Sequence, residues 1–155
     1  MTEAWFFHLG RQPLDQVLPQ LIAKTIARGW RAVVKAGSEE RVEAISSALW
    51  THSDDGFIPH GTKQDGSGDM QPVWITDGDD LPNAPQALFL VDGAESAVAP
   101  GLERVVRVFD GNAEESVIAA RAAWRAARAE GHAVSYWQQD ERGRWTNKAA
   151  TEASE

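Results

Sequence analysis

Trp5-Phe6-Phe7-His8-Leu9 and Arg31-Ala32-Val33-Val34-Lys35-Ala36 are short apolar runs, and between them Leu14, Val17, Leu18, Leu21, Ile22, Thr25 and Ile26 recur at helical spacing. The runs have the length and composition of buried strands, and the i, i+3, i+4 pattern between them is that of a helix packed by one face. Gly29 suits the residue that closes such a helix. Ser38, with Arg41 three positions later, opens a second helix running through Val42, Ile45, Leu49 and Trp50. Strands alternating with helices imply a mostly parallel sheet carrying helices on its faces.

The rest of the chain continues this alternation. After Phe57-Ile58-Pro59-His60, residues Gly61 to Gln71 form a polar, Gly-rich loop without apolar period. Pro72 to Thr76, Ala87 to Val91 and Arg104 to Phe109 are further strands, with an acidic turn from Asp77 to Pro85 between the first two. The last long helix is predicted from about Ala113 to Glu130. It has Glu114 and Glu115 in its first turn, where the helix dipole favours acids, and closes at Gly131. Ala133 to Gln139, the turn Asp140 to Gly143 and then Arg144-Trp145 predict an edge strand or hairpin. Thr146 to Glu155, small and polar, is expected to be a disordered tail. The expected architecture is α/β: a single three-layer domain over residues 1–145, Rossmann-like, with a mostly parallel central sheet and no phosphate-binding loop.

The 155 residues, 43% hydrophobic and 25% charged, suit one globular domain. Formal net charge is -8, and residues 51 to 100 carry nine acids against Lys63 alone, leaving the flanking segments near neutral. Affinity for nucleic acid comes largely from clustered Lys and Arg, so direct nucleic-acid binding is not expected. No apolar run approaches the roughly 20 residues of a membrane span, and the N-terminus lacks a secretory pattern, so the expected location is the cytoplasm. With no cysteine there is no disulfide, thiolate nucleophile or Cys-bound zinc.

Catalytic motifs are lacking. Gly10-Arg11-Gln12-Pro13, after the first strand, is neither G-x-G-x-x-G nor a P-loop. Asp65-Gly66-Ser67-Gly68-Asp69 lacks the G-x-S-x-G spacing of a nucleophile turn. Of His8, His52, His60 and His132, only His52 and His60 are close in sequence, across Asp54 and Asp55. With no i, i+4 pair they are read as exposed or capping residues, and no metal or cofactor is expected. Asp77, Asp79 and Asp80 lack the length and terminal Glu of a calcium loop. The enzyme alternative is a nucleotide- or small-ligand-binding protein whose active loop is Gly61 to Gln71.

Two surfaces carry docking potential. Trp50 and Phe57 bring large apolar rings to the edge of the turn holding Asp54, Asp55 and Gly56, as interface anchors do; the plainer alternative is that both rings cap the core. Arg121, Arg125 and Arg128 stand at i, i+4 and i+7 of the last helix, with Trp124 beside them. Guanidinium forks next to an indole suit an acidic peptide ending in a hydrophobic residue; the alternative is a solvated face paired with Glu.

A helix ending in Leu49-Trp50, a polar spacer and Phe57-Ile58-Pro59-His60 resembles the chi subunit of the bacterial DNA polymerase III clamp-loader assembly. The aromatic first strand, Gly29-Trp30-Arg31 before the second, Pro72-Val73 and the Gly131-ended last helix follow in that family's order. The resemblance implies a monomeric, non-catalytic accessory subunit of the holoenzyme. Such a subunit bridges the psi subunit, or an equivalent clamp-loader or helicase partner, to the acidic tail of the single-stranded-DNA-binding protein. By the same resemblance Arg121 and Trp124 fall on the tail-binding pattern, with Arg125 and Arg128 as helpers, and Trp50, Phe57, Pro59 and His60 on the psi or helicase face. Trp124 stands where the family typically has Tyr, and Val117 where it has a basic residue. An adaptor of this fold with another partner is the remaining alternative.

Overall fold

The structure, a computed structural model, describes residues 2–10, 12–51, 58–95, 102–139, 142 and 144–151. In chain order the elements are β1 (Glu3–Leu9), α1 (Leu14–Ala27), β2 (Ala32–Lys35), α2 (Glu39–Trp50), β3 (Val73–Thr76) and β4 (Ala87–Leu90). They are followed by β5 (Arg104–Asp110), α3 (Glu114–Ala129), β6 (Ala133–Gln139) and β7 (Trp145–Thr151). The seven strands form one sheet in the order β3-β2-β4-β5-β1-β6-β7. All neighbours pair in parallel except β6 and β7, which are antiparallel.

Side chains alternate across the strands, so each strand feeds two layers. On one face, Phe7, Val34, Phe89 and Val106 pack with Val17, Leu18 and Ile22 of α1 and Val42, Ile45 and Leu49 of α2. On the other face, Phe6, Phe109 and Tyr136 lie against Val117, Ala120, Ala123 and Trp124 of α3. The remainder of that second face, Val33, Trp74, Leu88 and Leu90, is covered by the loop residues Leu81 and Leu102. The expected three-layer α/β domain with helices on both faces is therefore present. α1 continues through Pro19, which cannot donate an intrahelical hydrogen bond, with buried Val17, Leu18 and Ile22 on either side of it. Gly29 at φ +85° and Gly131 at φ +85° adopt the left-handed conformation just past α1 and α3. The Ser38 side chain caps α2 by accepting from the Arg41 amide at 3.2 Å.

Residues 146–151 correct the expectation of a tail beginning at Thr146, because they belong to β7 and pair with β6 from Gln139↔Trp145 to Val134↔Thr151. The open edge of β6 supplies unpaired backbone groups, and the Trp145 ring anchors the returning strand edge-on to Phe7 at 5.1 Å. The Gly-rich loop is also tied down: Gly61 bridges to Trp74, and Arg31 donates to the Asp69 carbonyl at 2.8 Å.

The acidic turn after β3 is structural at Asp80, whose carboxylate accepts from Trp74 Nε1 at 2.7 Å and Thr76 Oγ1 at 2.6 Å. Burial alone would raise its pKa, but these hydrogen bonds hold it below the usual carboxylate value. Asp80 thus contributes stability above the ordinary carboxylate range, lost as pH falls through its depressed folded value. Asp80 is exposed, so solvent screens these bonds, and Asp80→Asn, which cannot accept both, is expected to cost about 0.5 kcal/mol at neutral pH. Urea melts should show that difference shrinking as the pH is taken down through the acid range.

Candidate partner-binding surfaces

α3 is Ala-rich, with Glu114 and Glu115 in its first turn and Arg128 in its last, charges that complement the helix dipole at both ends. Ala120, fully buried, brings the helix close to the sheet. Trp124 is half-buried, its ring edge-on to Phe6 at 5.6 Å and to Tyr136 at 5.7 Å. One side of the indole is fixed to the core and the other lies on the helix flank. Around it Arg121, Arg125 and Arg128 are exposed, and among the described residues they form no ion pair. Three uncompensated guanidinium groups on a chain of net charge -8 concentrate positive potential on this flank.

Three residues missed from sequence belong to this surface. Ile118 is 60% exposed one turn before Arg121; its apolar character off the buried stripe was the available signal. His8 and Tyr136 meet beneath the first half of α3, where His8 Nδ1 and Tyr136 Oη are 2.7 Å apart. Parallel pairing sets Phe6 opposite Tyr136 and leaves His8 on the diagonal. Burial and the Arg121 charge lower the His8 pKa against an opposing pull from Asp110. Burial raises the Tyr136 pKa, with Arg121 acting the other way. Arg121 therefore shares one electrostatic neighbourhood with both.

The second surface lies at the far end of the sheet. Trp50, the last residue of α2, is 61% exposed and stands edge-on to the His60 ring at 5.5 Å. His60 is held by the Ile58 carbonyl at Nδ1, 2.8 Å, and Ser46 Oγ at Nε2, 3.0 Å. This network assigns the proton to Nδ1, with the serine hydroxyl donating to Nε2. Pro59 is exposed beside it, while Phe57 and His52 lie outside the described residues. Gly61 bridges to β3, so this patch borders the outer β3 edge, whereas α3 packs over β1, β5 and β6. Four strand steps separate β3 from β1, about 19 Å.

A cleft of about 830 Å³ opens where the chain leaves β1 toward α1 on one face and β5 toward α3 on the other. That is the switch point at which α/β sheets commonly hold nucleotides. Its arginines are already engaged: Arg41 with Asp92 at 2.9 Å, and Arg107 with both Glu95 carboxylate oxygens at 2.8 and 2.7 Å. Glu115 in the first turn of α3 and Asp110 add negative charge to the rim, which opposes a phosphate. Among the described residues no group of three or more His, Asp or Glu is disposed to hold a metal, and no helix is long and apolar enough to cross a membrane.

The chain matches the family described as DNA polymerase III chi subunit, HolC, over residues 1–135. It is 27% identical over 109 residues to the probable DNA polymerase III subunit chi of Rickettsia prowazekii (strain Madrid E). That alignment takes in 70% of this chain and 66% of the relative, just under two thirds of its length. The family match ends within β6, so the rest of β6 and β7 lie beyond it. The aromatic first strand, the Trp50 segment and the Arg121–Trp124 flank all fall inside the matched region, and the chain belongs to the DNA polymerase III chi subunit family.

Proposed function

We propose that this protein is a non-catalytic accessory subunit of the replicative DNA polymerase holoenzyme and acts there as a bridge between two protein partners. Membership of the chi family supports the replication role. The observation that carries the bridge is the exposed arginine flank around Trp124, without ion pairs among the described residues. It suits the acidic, Phe-ended tail of the single-stranded-DNA-binding protein: carboxylates to the guanidinium forks, an aromatic side chain to the indole and Ile118. Trp50, with Pro59 and His60, serves the psi subunit or an equivalent clamp-loader or helicase partner. One surface borders the outer β3 edge and the other lies over β1, β5 and β6, so both can be held at once. Many tails coat lagging-strand DNA, so even a weak contact raises the local concentration of polymerase assembly there.

Fluorescence anisotropy with a labelled acidic, Phe-terminated peptide tests the reading. Saturable binding that weakens as salt rises supports it; no binding at about 1 mM peptide removes it. The second surface has its own test. Trp50→Ala is expected to change Tm by less than about 2 °C, because the ring is largely exposed, and to weaken capture of the psi-type partner by tenfold or more. Unchanged capture would separate Trp50 from that role.

A further inference from the structure

His8 is half-buried and has close neighbours on three flanks. Its ring stands edge-on to Phe109 at 5.1 Å and to Tyr136 at 6.0 Å. Against its remaining flank sits Gly111, where a Cβ would fall 2.0 Å from both Cδ2 and Nε2. These neighbours restrict the half-buried ring, whose Nδ1 lies 2.7 Å from the Tyr136 hydroxyl. We propose that His8 and Tyr136 are a proton-coupled extension of the Arg121 site: when His8 gains a proton, the Tyr136 hydroxyl turns outward and donates to a carboxylate held by Arg121. This coupling rests on the proposal that the α3 flank docks an acidic ligand.

The mechanism follows from which atoms can donate. With His8 neutral, the phenol is the better donor and the imidazole nitrogen the better acceptor, so the hydroxyl hydrogen points inward to Nδ1. Once protonated, both ring nitrogens are donors, Nδ1–H donates to Tyr136 Oη, and the hydroxyl hydrogen is released. The proton comes from solvent and forms the Nδ1–H bond, and no other covalent bond changes. The groups facing His8 are Arg121 from α3, Asp110 from the end of β5 and Tyr136 from β6. Burial and Arg121 disfavour protonation of His8 in the free protein, against an opposing pull from Asp110. A ligand carboxylate on Arg121 cancels that repulsion and supplies an acceptor for the released hydroxyl, so binding draws a proton onto His8. By reciprocity the proton strengthens ligand binding by the same factor.

Isothermal titration calorimetry of the full chain with an acidic, Phe-terminated peptide reads this directly. Runs near pH 6, 7 and 8, in buffers of different ionisation enthalpy, should show net proton uptake and an affinity several-fold higher at the lowest pH. The gain reaches about tenfold for each pKa unit by which the ligand raises His8. His8→Gln should remove the uptake and flatten the pH profile, and Tyr136→Phe should reduce both by the share that the hydroxyl carries, whereas Arg121→Ala weakens binding at every pH. Tyr136→Phe keeps the ring and its packing, which guards against a folding artefact in the histidine variant. Binding without uptake, or uptake that Tyr136→Phe leaves undiminished, overturns the coupling and leaves the docking proposal intact. No binding at any pH overturns both.

Discussion

Arg121→Glu is expected to lower the affinity for an acidic, Phe-ended peptide by about thirtyfold, roughly 2 kcal/mol, with no change in fold. A single exposed ion pair is ordinarily worth about 0.2–1 kcal/mol. Two circumstances raise the effect at this position. Arg121 stands one turn before the half-buried Trp124 and close enough to Tyr136 and His8 to influence both, so a ligand seated there is partly desolvated and its charges are less screened. Charge reversal also replaces attraction with repulsion, whereas alanine only removes attraction, so Arg121→Ala should lose about tenfold or less. Both losses should shrink as salt rises. The substitution is on an exposed helix position, so the thermal melt should move little. NMR titration of the His8 ring in the free variant gives an independent readout. Glutamate removes the charge that disfavours protonation, so the His8 pKa should rise even before any peptide is added. Wild-type affinity in Arg121→Glu would mean that the peptide does not use this flank of α3.

The sequence spoke clearly wherever burial imposed a period. Apolar runs such as Ala87–Leu90, buried throughout, are visible because a parallel strand covered on both faces has few polar positions. The helices are visible because their buried residues repeat at helical spacing, as Val42, Ile45 and Leu49 do in α2. β7 was hidden because Thr146, Asn147, Lys148, Ala149 and Ala150 carry no apolar alternation; its pairing follows from the open β6 edge and the single anchor Trp145. The arginine flank was legible because spacing on one helix fixes relative direction. All three arginines are exposed, as a solvated face would have them, and among the described residues Arg121, Arg125 and Arg128 make no ion pair with Glu. His8 and Tyr136 could not be joined from sequence, since 128 positions separate them and only the β1–β6 register brings them together. Trp50 was read as a rim residue and is exposed, but its orientation depends on His60, whose ring is set by Ser46 and the Ile58 carbonyl.

Gly111→Ala is the change within the fold expected to cost most per atom added, about 2–3 kcal/mol, or a fall in Tm of roughly 4–10 °C. The added methyl would lie 2.0 Å from two atoms of the His8 ring and 2.5 Å from the Leu9 carbonyl oxygen. Neither neighbour yields easily. The Leu9 oxygen is main chain and already accepts from the Gly111 amide at 2.9 Å. The ring is backed by Phe109 and tied to Tyr136. Glycine is therefore required by close approach rather than by backbone conformation, since Gly111 is absent from the positive-φ residues. The two obstacles can be separated by a double-mutant cycle. In a His8→Ala background the ring clash disappears and the carbonyl contact stays, so Gly111→Ala should cost at least 1 kcal/mol less than in the wild type when measured by urea unfolding. If Gly111→Ala proves harmless in the wild-type background, the His8 ring is free to move aside. A free ring could keep its hydrogen bond in some other pose, and protonation would then no longer be forced to turn the Tyr136 hydroxyl toward the ligand. The stability of one small turn thus tests the rigidity on which coupling between proton and partner depends.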